Sequence, residues 1–452
     1  MLTTLKNAFK IKEIRTRLLF TLAMLVVIRI GSQLPVPGIN TDVFRVWFEE
    51  QTANIEGAIS FFDAVTGGSF LQMSVFALNI NPYITSSIIM QLLTIAIPKL
   101  EEMQRDGEEG RKKIVTITRY LTVGLALFQA TFMAIGFGRQ TVNIDGQLKT
   151  VLQSFDAFHV ITVVVALTAG SAFLMWVGEQ ITEHGVGNGI SVVLTINIIS
   201  RLPQDLKSLF EKFVQGKPPA TAILAAVIII AVFIGMVILV IILNDAVRSI
   251  PVQYAKKMQG RRNIGGASSN IPLKVNTSGV IPIIFAQSIL TLPIIISQFV
   301  ASDKLNGVWG EILKYFNTNK WCIPSRAEFK YTAGMIVYIA MVIFFAYFYT
   351  SITFNPLMVS DNLKRQGGFI PGIRPGKPTS DYLNKVLNYI VFIGAIGLII
   401  ICILPYIFNG VFGADVATTG TSLIIIVSVV IETVKQIESM MLVRNYKGFL
   451  EN

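Results

Sequence analysis

The sequence predicts an all-α membrane protein with ten transmembrane helices, on the evidence of its composition, its apolar runs and the charge of its loops. Charged residues make up only 14% of the chain and hydrophobic residues 52%, whereas ordinary globular proteins are about 25% charged. A membrane helix needs about 20 mostly apolar residues, and several runs approach or exceed that length. Since no run alternates with the period of two that is typical of barrel strands, the spans are helices.

Ten spans can be assigned, of which eight are clear and two are weaker. Val75–Ile97 is weaker because polar residues and a proline interrupt it at 79–82. Ile190–Ser200 is weaker because it is short and follows a glycine-rich turn. The clear spans are Leu18–Leu34, Ile114–Phe137, Phe158–Val177, Thr221–Leu243, Val280–Val300, Thr332–Phe354, Val386–Ile407 and Thr421–Val434.

The distribution of Lys and Arg predicts which ends of the spans lie inside. Residues 1–17 carry five basic side chains, which place the N terminus inside, and ten spans return the C terminus to the same side. Basic residues are about twice as frequent in the predicted inside segments as in the outside segments. The outside segments 201–220 and 301–331 are nevertheless more basic than this rule predicts.

Composition and motifs argue against catalysis and cofactor binding. Two cysteines exclude a disulfide scaffold, and two histidines leave little room for a zinc enzyme. Gly185–Gly189 follows a membrane helix rather than a strand and lacks the spacing of a dinucleotide loop. Gly372–Lys377 is followed by Pro378, where a phosphate loop requires Ser or Thr. We therefore predict no metal ligand, no cofactor and no catalytic residue.

Four features each allow two interpretations. Ser60–Met73 is apolar but too short to span, so it is an interfacial or re-entrant segment or a moving part. Asn79–Tyr83 faces either a watery cavity or the lipid headgroups. Arg29 is either functional or extends to the outer interface. The basic residues in the long inside loops 244–274 and 355–385 set topology, or dock a partner rich in phosphate or acidic groups, or do both.

Short motifs run in order along the whole chain. They are Pro35–Gly38, Asn81–Ile84, Asp106–Arg111, Trp176–Ser191, Pro272–Asn276, Gly279–Pro282, Phe354–Pro356 and Gly367–Gly376. Together these motifs closely resemble the SecY family, the channel subunits of Sec protein translocases. The resemblance implies ten helices in two inverted five-helix halves around a central pore, in one membrane domain over residues 1–452. The N-terminal half would be 1–200 and the C-terminal half 221–440.

The same resemblance implies a function and partners. It implies a protein-conducting channel, not an enzyme, that passes unfolded secretory proteins across the membrane and releases transmembrane segments sideways through a lateral gate. The drive would come from the motor ATPase SecA or from the ribosome. The implied partners are SecE and SecG, SecA, the ribosome and its rRNA, signal peptides and membrane lipid. The implied location is the cell membrane, with both termini cytoplasmic.

Motif positions also transfer roles to particular residues. An aliphatic ring that seals the pore would consist of Ile80, Ile84, Ile190, Leu194, Ile284 and Ile425. A plug over residues 60–73, called the plug segment below, would include Phe61, Phe62, Gly67, Gly68 and Phe70. The lateral gate would use Gln91 and Asn276 as polar contacts. Partner docking would use Arg261, Arg262 and Arg374.

The chain departs from the family near the implied ring. Asn79 and Asn81 flank Ile80 where glycine and methionine are common, and Leu194 replaces the commoner isoleucine. These changes bear on the geometry and tightness of the seal.

A secondary transporter of small solutes is the alternative function. Its coupling site would use Arg29, Glu179 or Glu432. Such a site needs ionisable groups near the membrane midplane, whereas Glu179 and Glu432 are predicted near inner helix ends. A membrane enzyme is a third hypothesis, and the missing nucleophile and metal motifs argue against it.

Overall fold

The computed structural model describes residues 6, 8–48, 66–138, 140–144, 147–254, 257–259, 262–264, 268–297, 308–316, 321–323, 329–412 and 417–450. Most of this part of the chain is helical. A short helix covers 41–48, and the longer ones in chain order are α1 (Lys12–Gly31), α2 (Asn81–Ala96), α3 (Pro98–Arg105), α4 (Glu108–Gly138), α5 (Ala157–His184), α6 (Gly189–Phe213), α7 (Pro219–Asp245), α8 (Ile281–Ser297), α9 (Val308–Phe316), α10 (Ala333–Thr353), α11 (Pro356–Arg365), α12 (Lys377–Phe412) and α13 (Ala417–Leu450).

All of these helices except α3, α9 and α11 coincide with one of the ten predicted spans. Among the described residues, five helical stretches are long and apolar enough to cross a membrane unaided. Four lie in α4, α5, α7 and α12, and the fifth, Lys330–Arg365, contains α10 and α11. The pair α2 and α3 makes a sixth candidate, bent by 107° between Asn81–Ala96 and Pro98–Gln104. Of the other helices that coincide with predicted spans, α8 is apolar but only 17 residues long. The helix α1 begins with charged residues, and α6 and α13 become polar in their second halves.

Local chemistry sets where several helices begin. Asp156 Oδ1 accepts a hydrogen bond from the Ala157 amide at 2.9 Å and caps α5. Asn188 Oδ1 accepts one from the Ile190 amide at 3.1 Å and caps α6. Prolines occupy the first turn of α2, α3, α7 and α11. Proline lacks a backbone N–H, and N–H groups in the first turn have no acceptor within the helix, so no helical hydrogen bond is lost. The polar residues between the apolar runs thus define the helix starts.

Small antiparallel sheets lie in the connections. They are formed by β1 (Thr141–Ile144), β2 (Gln147–Thr150), β3 (Val247–Tyr254), β4 (Lys257–Gln259), β5 (Arg262–Ile264), β6 (Ser268–Lys274) and β7 (Gly368–Phe369). In the largest sheet, of order β6-β3-β7, Ile250 lies opposite Ile271 and Gln253 lies opposite Phe369. The two long loops, 244–274 and 355–385, therefore build one unit, which the sequence does not predict.

Contacts between the turns show which helix ends share a face. One apolar cluster joins the start of the chain, the α5–α6 turn and the second half of α13 through Ala8, Ile14, Val186 and Ile437. We call this side the N-terminal face. On the opposite face, the Asn40 amide donates to the Val151 carbonyl at 2.9 Å, and Pro35 pairs with Ser74. Successive helices thus alternate in direction, as the predicted topology requires.

Candidate functional site

Four of the six predicted ring residues lie in one apolar cluster. Ile80 precedes α2 and is fully buried, and Leu194 of α6 is 5% exposed. Ile84 and Ile190 are partly buried and pack against the same cluster. A Cβ built on Gly178 of α5 would lie 3.4 Å from Ile190 Cγ1 and 3.5 Å from Ile80 Cδ1. Ile80 and Ile190 therefore meet over a glycine that leaves them room.

The remaining two ring residues lie in a second apolar cluster. Ile425 of α13 is buried there beside Ile198 and Val429, and Ile284 of α8 packs against it. Because Leu194 belongs to the first cluster and Ile198 to the second, α6 is common to both. The structure thus places the six side chains in two clusters joined by α6, rather than in one.

The helix α6 changes character along its length. Its first half is apolar, whereas beyond Ser200 it carries charged residues and contains Pro203. Arg201 and Asp205 form an ion pair at 3.4 Å in this second half. The predicted span ends at Ser200, but the helix continues to Phe213, because polar residues end a hydrophobic run without ending a helix. Much of the predicted outside segment 201–220 is therefore helix.

Part of the plug segment is described, and it packs tightly. Gly67 and Gly68 adopt φ of 68° and 83°, a left-handed conformation that glycine adopts without strain. Phe70 is 5% exposed and packs with Phe44 and Phe48 of the short helix 41–48, at ring-centroid distances of 5.8 and 5.6 Å. Sequence analysis missed these two partners, although the aromatic residues of 41–48 were a visible signal. The predicted plug residues Phe61 and Phe62 lie outside the described residues.

Asn79 lies inside the protein rather than at the headgroups. It is 1% exposed, with a left-handed φ of 53°. Its side-chain Oδ1 accepts a hydrogen bond from Asn197 Nδ2 at 3.0 Å, and its carbonyl accepts one from Ser171 Oγ at 3.0 Å. The side chain of Asn79 therefore faces protein, and neither predicted environment, a watery cavity or the lipid headgroups, is observed for it.

The two predicted gate residues bond to different partners. Gln91 Nε2 donates to Ser87 Oγ on its own helix at 3.4 Å. Asn276 Nδ2 donates to Asn244 Oδ1 at 2.8 Å, and Asn244 Nδ2 donates to Ser428 Oγ at 2.6 Å. Within the described part of the chain, Gln91 Oε1 and Asn276 Oδ1 are buried without a hydrogen-bond partner.

Contact between α2 and the side of the protein that holds α8 is apolar. Ile88 of α2 packs against a cluster that contains Ile283, Phe285 and Leu290 of α8. No described hydrogen bond joins Gln91 to Asn276. Apolar packing is therefore the described link at the predicted gate.

The predicted docking residue Arg374 lies in a hydrogen-bonded turn. Its side chain is exposed, while its carbonyl accepts a hydrogen bond from Thr379 Oγ1 at 2.8 Å. Ser360 Oγ donates to the Gly376 carbonyl at 2.7 Å, which ties the turn to α11. Arg262 lies in β5 at the tip of the neighbouring loop, and Arg261 lies outside the described residues. The turn presents the Arg374 guanidinium to solvent from a fixed backbone.

The two glutamates of the transporter hypothesis have different surroundings. The Glu179 carboxylate pairs with Arg119 Nε at 2.8 Å, across α5 and α4. Glu432 is exposed on α13. Nowhere in the described ranges do three or more His, Cys, Asp or Glu residues gather as a metal site would need.

Comparison with known proteins agrees with this geometry. Residues 74–434 match the model of the SecY family. The chain is 43% identical to the protein translocase subunit SecY of Streptomyces scabiei, over all of both chains. It is 39% identical to that of Thermotoga maritima, over 99% of this chain and 97% of the other.

Solved structures support the fold. A structure described as that of a protein conducting channel aligns with a TM-score of 0.60 and 18% identity, over 94% of this chain and 92% of the other. Sec61 in the canine ribosome-channel complex aligns with a TM-score of 0.58 and 16% identity, over the same shares. The fold is thus that of ten membrane helices in two halves around a central pore. By full-length similarity to translocase subunits and by its fold, this chain belongs to the SecY family.

Proposed function

We propose that this chain is a protein-conducting channel that passes unfolded secretory proteins across the membrane and releases transmembrane segments sideways. The observation that carries the proposal is its full-length similarity to protein translocase subunits named SecY. The transporter alternative is not favoured, because Glu179 is held in an ion pair and Glu432 is exposed. Channel function needs no covalent chemistry, so the chain is proposed to have no catalytic residue and no cofactor.

The ring is proposed to seal the pore by excluding water. Its members are Ile80, Ile84, Ile190, Leu194, Ile284 and Ile425. An apolar constriction blocks ions by dewetting, while aliphatic side chains can change rotamer and part around a passing chain. The burial of Ile80, Leu194 and Ile425 supports a closed state. The division of the six side chains between two clusters supports an opening that separates them along α6.

The plug segment is proposed to close the funnel on the opposite face. The packing of Phe70 and the tight turn at Gly67 and Gly68 support a segment that docks as a unit. Phe61 and Phe62 are proposed to complete it. Departure of this segment would leave the ring as the remaining barrier.

The lateral gate is proposed to open between α2 and α8, with Gln91 and Asn276 as polar contacts. A hydrogen bond between membrane helices contributes only about 0.6 kcal/mol. A signal peptide brings an apolar core of about 7–15 residues, and each buried CH₂ contributes about 0.8 kcal/mol. The gate can therefore rest closed and still yield to a signal peptide.

The sheet that unites the two long loops is proposed as the docking surface for SecA or the ribosome. Arg261, Arg262 and Arg374 would meet acidic side chains or rRNA phosphates. The exposed, fixed Arg374 and the known ribosome complexes of structural relatives support this assignment. SecE and SecG are proposed as the companion subunits. The proposed location is the cell membrane, with the N-terminal face cytoplasmic.

Reconstitution tests the function. Proteoliposomes that contain this chain, SecE and SecA are supplied with ATP and a precursor that bears a signal peptide, and protease-protected precursor is measured. We expect protection that depends on all components, and none for the same precursor without its signal peptide. Absence of import by a complex shown to be folded would contradict the proposal.

A further inference from the structure

A polar contact joins the described part of the plug segment to α6 and to the turn before α2. The Asn79–Asn197 hydrogen bond lies at its centre, and Asn197 is 3% exposed. Ser200, three residues further along α6, donates through Oγ to the Asn197 carbonyl at 2.6 Å, and the same Oγ lies 3.4 Å from the Gly67 carbonyl oxygen. Asn79, Asn197, Ser200 and Gly67 therefore form one continuous contact, called the plug seat below.

The approach of Gly67 to α6 is too close for any other residue. A Cβ added there would lie 2.7 Å from the Asn197 carbonyl oxygen and 2.9 Å from its Cα. Both atoms belong to the backbone of a helix, so they cannot move aside cheaply. The absence of a side chain at Gly67 is thus what lets this segment contact α6.

The next residue provides a contrast. Gly68 also has a left-handed φ, 83° against 68° for Gly67, but a Cβ at Gly68 would meet nothing within 4 Å. The two positions share a left-handed backbone and differ in contact. Only Gly67 is held against α6.

The plug seat also adjoins the proposed ring. Asn79 immediately precedes Ile80, and Asn197 lies three residues after Leu194 on the same helix, about one turn away. Asn197 Oδ1 is buried without a hydrogen-bond partner among the described residues.

We propose that Asn79 and Asn197 are positioning residues that hold the plug segment in the closed pore through Gly67, and that tie its docking to Ile80 and Leu194. The inference rests on the proposed function, since it assumes that residues 60–73 close a pore. It goes further by naming the residues that decide how firmly the plug segment is held.

Resting ion conductance in planar bilayers tests the plug seat, with Gly67→Ala and Gly68→Ala as a matched pair. Both changes impose the same backbone strain, but only Gly67→Ala pushes the segment off α6. We expect Gly67→Ala to raise resting conductance several-fold and Gly68→Ala to stay near the unmodified chain. Equal conductance of the two variants would overturn the proposal.

If Gly67→Ala does not assemble, a second variant, Asn79→Gly, tests the same proposal. Asn79→Gly removes the bond to Asn197 while still permitting the left-handed backbone. We expect a roughly fivefold rise in the open fraction at rest, the effect of losing one modest interaction, with ATP-driven import retained. The melting temperature should fall slightly, because the buried Asn197 amide loses its partner. A structural defect would instead abolish import, and unchanged conductance would overturn the proposal.

Removal of residues 60–73 in the same assay distinguishes failure of the plug seat from failure of the proposed plug segment itself. If removal raises conductance while the Gly67 and Gly68 variants behave alike, the plug segment closes the pore but the seat does not hold it. If removal leaves conductance unchanged, the proposed role of the plug segment itself fails.

Discussion

Each half of the molecule pairs two asparagines at the point where a predicted gate helix begins. In the N-terminal half, Asn79 precedes α2 and bonds to Asn197 of α6 at 3.0 Å. In the C-terminal half, Asn276 precedes α8 and bonds to Asn244 of α7 at 2.8 Å. The N-terminal pair borders the plug segment. The C-terminal pair borders the sheet, which follows the end of α7, where Asp245 pairs with Lys435 of α13 on the N-terminal face. An asparagine–asparagine hydrogen bond thus lies near each of the two faces.

The pairs differ in what they hold. The Asn276 network continues through Asn244 to Ser428, so it joins three elements of its half. The backbone beside it is paired too, since the Val275 amide donates to the Ala246 carbonyl at 2.9 Å. The Asn79 pair instead contacts a turn at the edge of an apolar cluster. This difference suggests a fixed base on the N-terminal face and a removable seal on the opposite face.

Charge reversal at Arg374 has the largest expected effect and tests the assignment of docking to the N-terminal face. We expect Arg374→Glu to abolish SecA-driven import, because it places a negative charge where an acidic or phosphate-rich partner would bind. Assembly and resting conductance should be unchanged. The matched control is Lys385→Glu, an equal charge change at an exposed site outside the turn. Normal import by Arg374→Glu in proteoliposomes would remove the assignment.

Deletion of residues 60–73 tests the opposite face. We expect a marked rise in resting ion conductance in planar bilayers, because the ring alone would remain as the barrier. SecA binding should persist, since the N-terminal face is untouched. If the deletion instead reduced SecA binding and left conductance unchanged, the assignment of docking to the N-terminal face and of pore closure to the opposite face would be wrong.

Replacement of Asn244 tests the fixed base. Asn244→Leu leaves Asn276 and Ser428 without their partner, at a cost of about 2–4 kcal/mol of unfolding free energy for two unpaired groups. We expect a lower Tm in detergent with little change in resting conductance. Ser428→Ala, which removes one bond, serves as the milder control. If Asn244→Leu raised resting conductance as much as Asn79→Gly does, both asparagine pairs would hold the pore closed, and the proposed difference between the two halves would be wrong.

The sequence predicts the spans well and the contacts between them poorly. Hydrophobic runs identify the ten spans because lipid imposes that composition on each helix by itself. The end of α6 is missed because the helix continues past Ser200 with charged residues. The strands β3 and β7 are missed because they belong to loops more than 100 residues apart in sequence, and pairing at that distance leaves no local pattern.

The polar networks show the same limit. Asn79 stands out in the sequence because it interrupts an apolar run, but its partner Asn197 lies within a different span. Asn244 ends an apolar run, and nothing in the sequence predicts its hydrogen bond to Asn276. The ring, gate and docking residues came from family resemblance, because an isoleucine that lines a pore and one that packs a core look alike in sequence.

The two halves also differ on the face opposite the N-terminal face. The prediction from this difference, a change in Tm for Glu311→Gln, has the smallest expected effect. The N-terminal half packs apolar rings there around Phe70, whereas the C-terminal half gathers charges around Glu311. Glu311 accepts from Lys314 at 2.7 Å, Lys330 at 3.3 Å and Tyr331 at 3.2 Å. Lys314 and Lys330 lower the pKa of Glu311 from 4.5 to about 2. This contact therefore depends on pH, and the Phe70 contact does not.

The sign follows from linkage. A carboxyl whose pKa is lower in the folded state stabilises that state fully above pH 4.5, and the contribution disappears as pH falls towards about 2. We expect the Tm of the unmodified chain to exceed that of Glu311→Gln slightly at neutral pH, and the gap to close on acidification. Because Glu311 is exposed, salt should also narrow the gap. A gap that persists at low pH and high salt would mean that Glu311 acts through packing rather than charge.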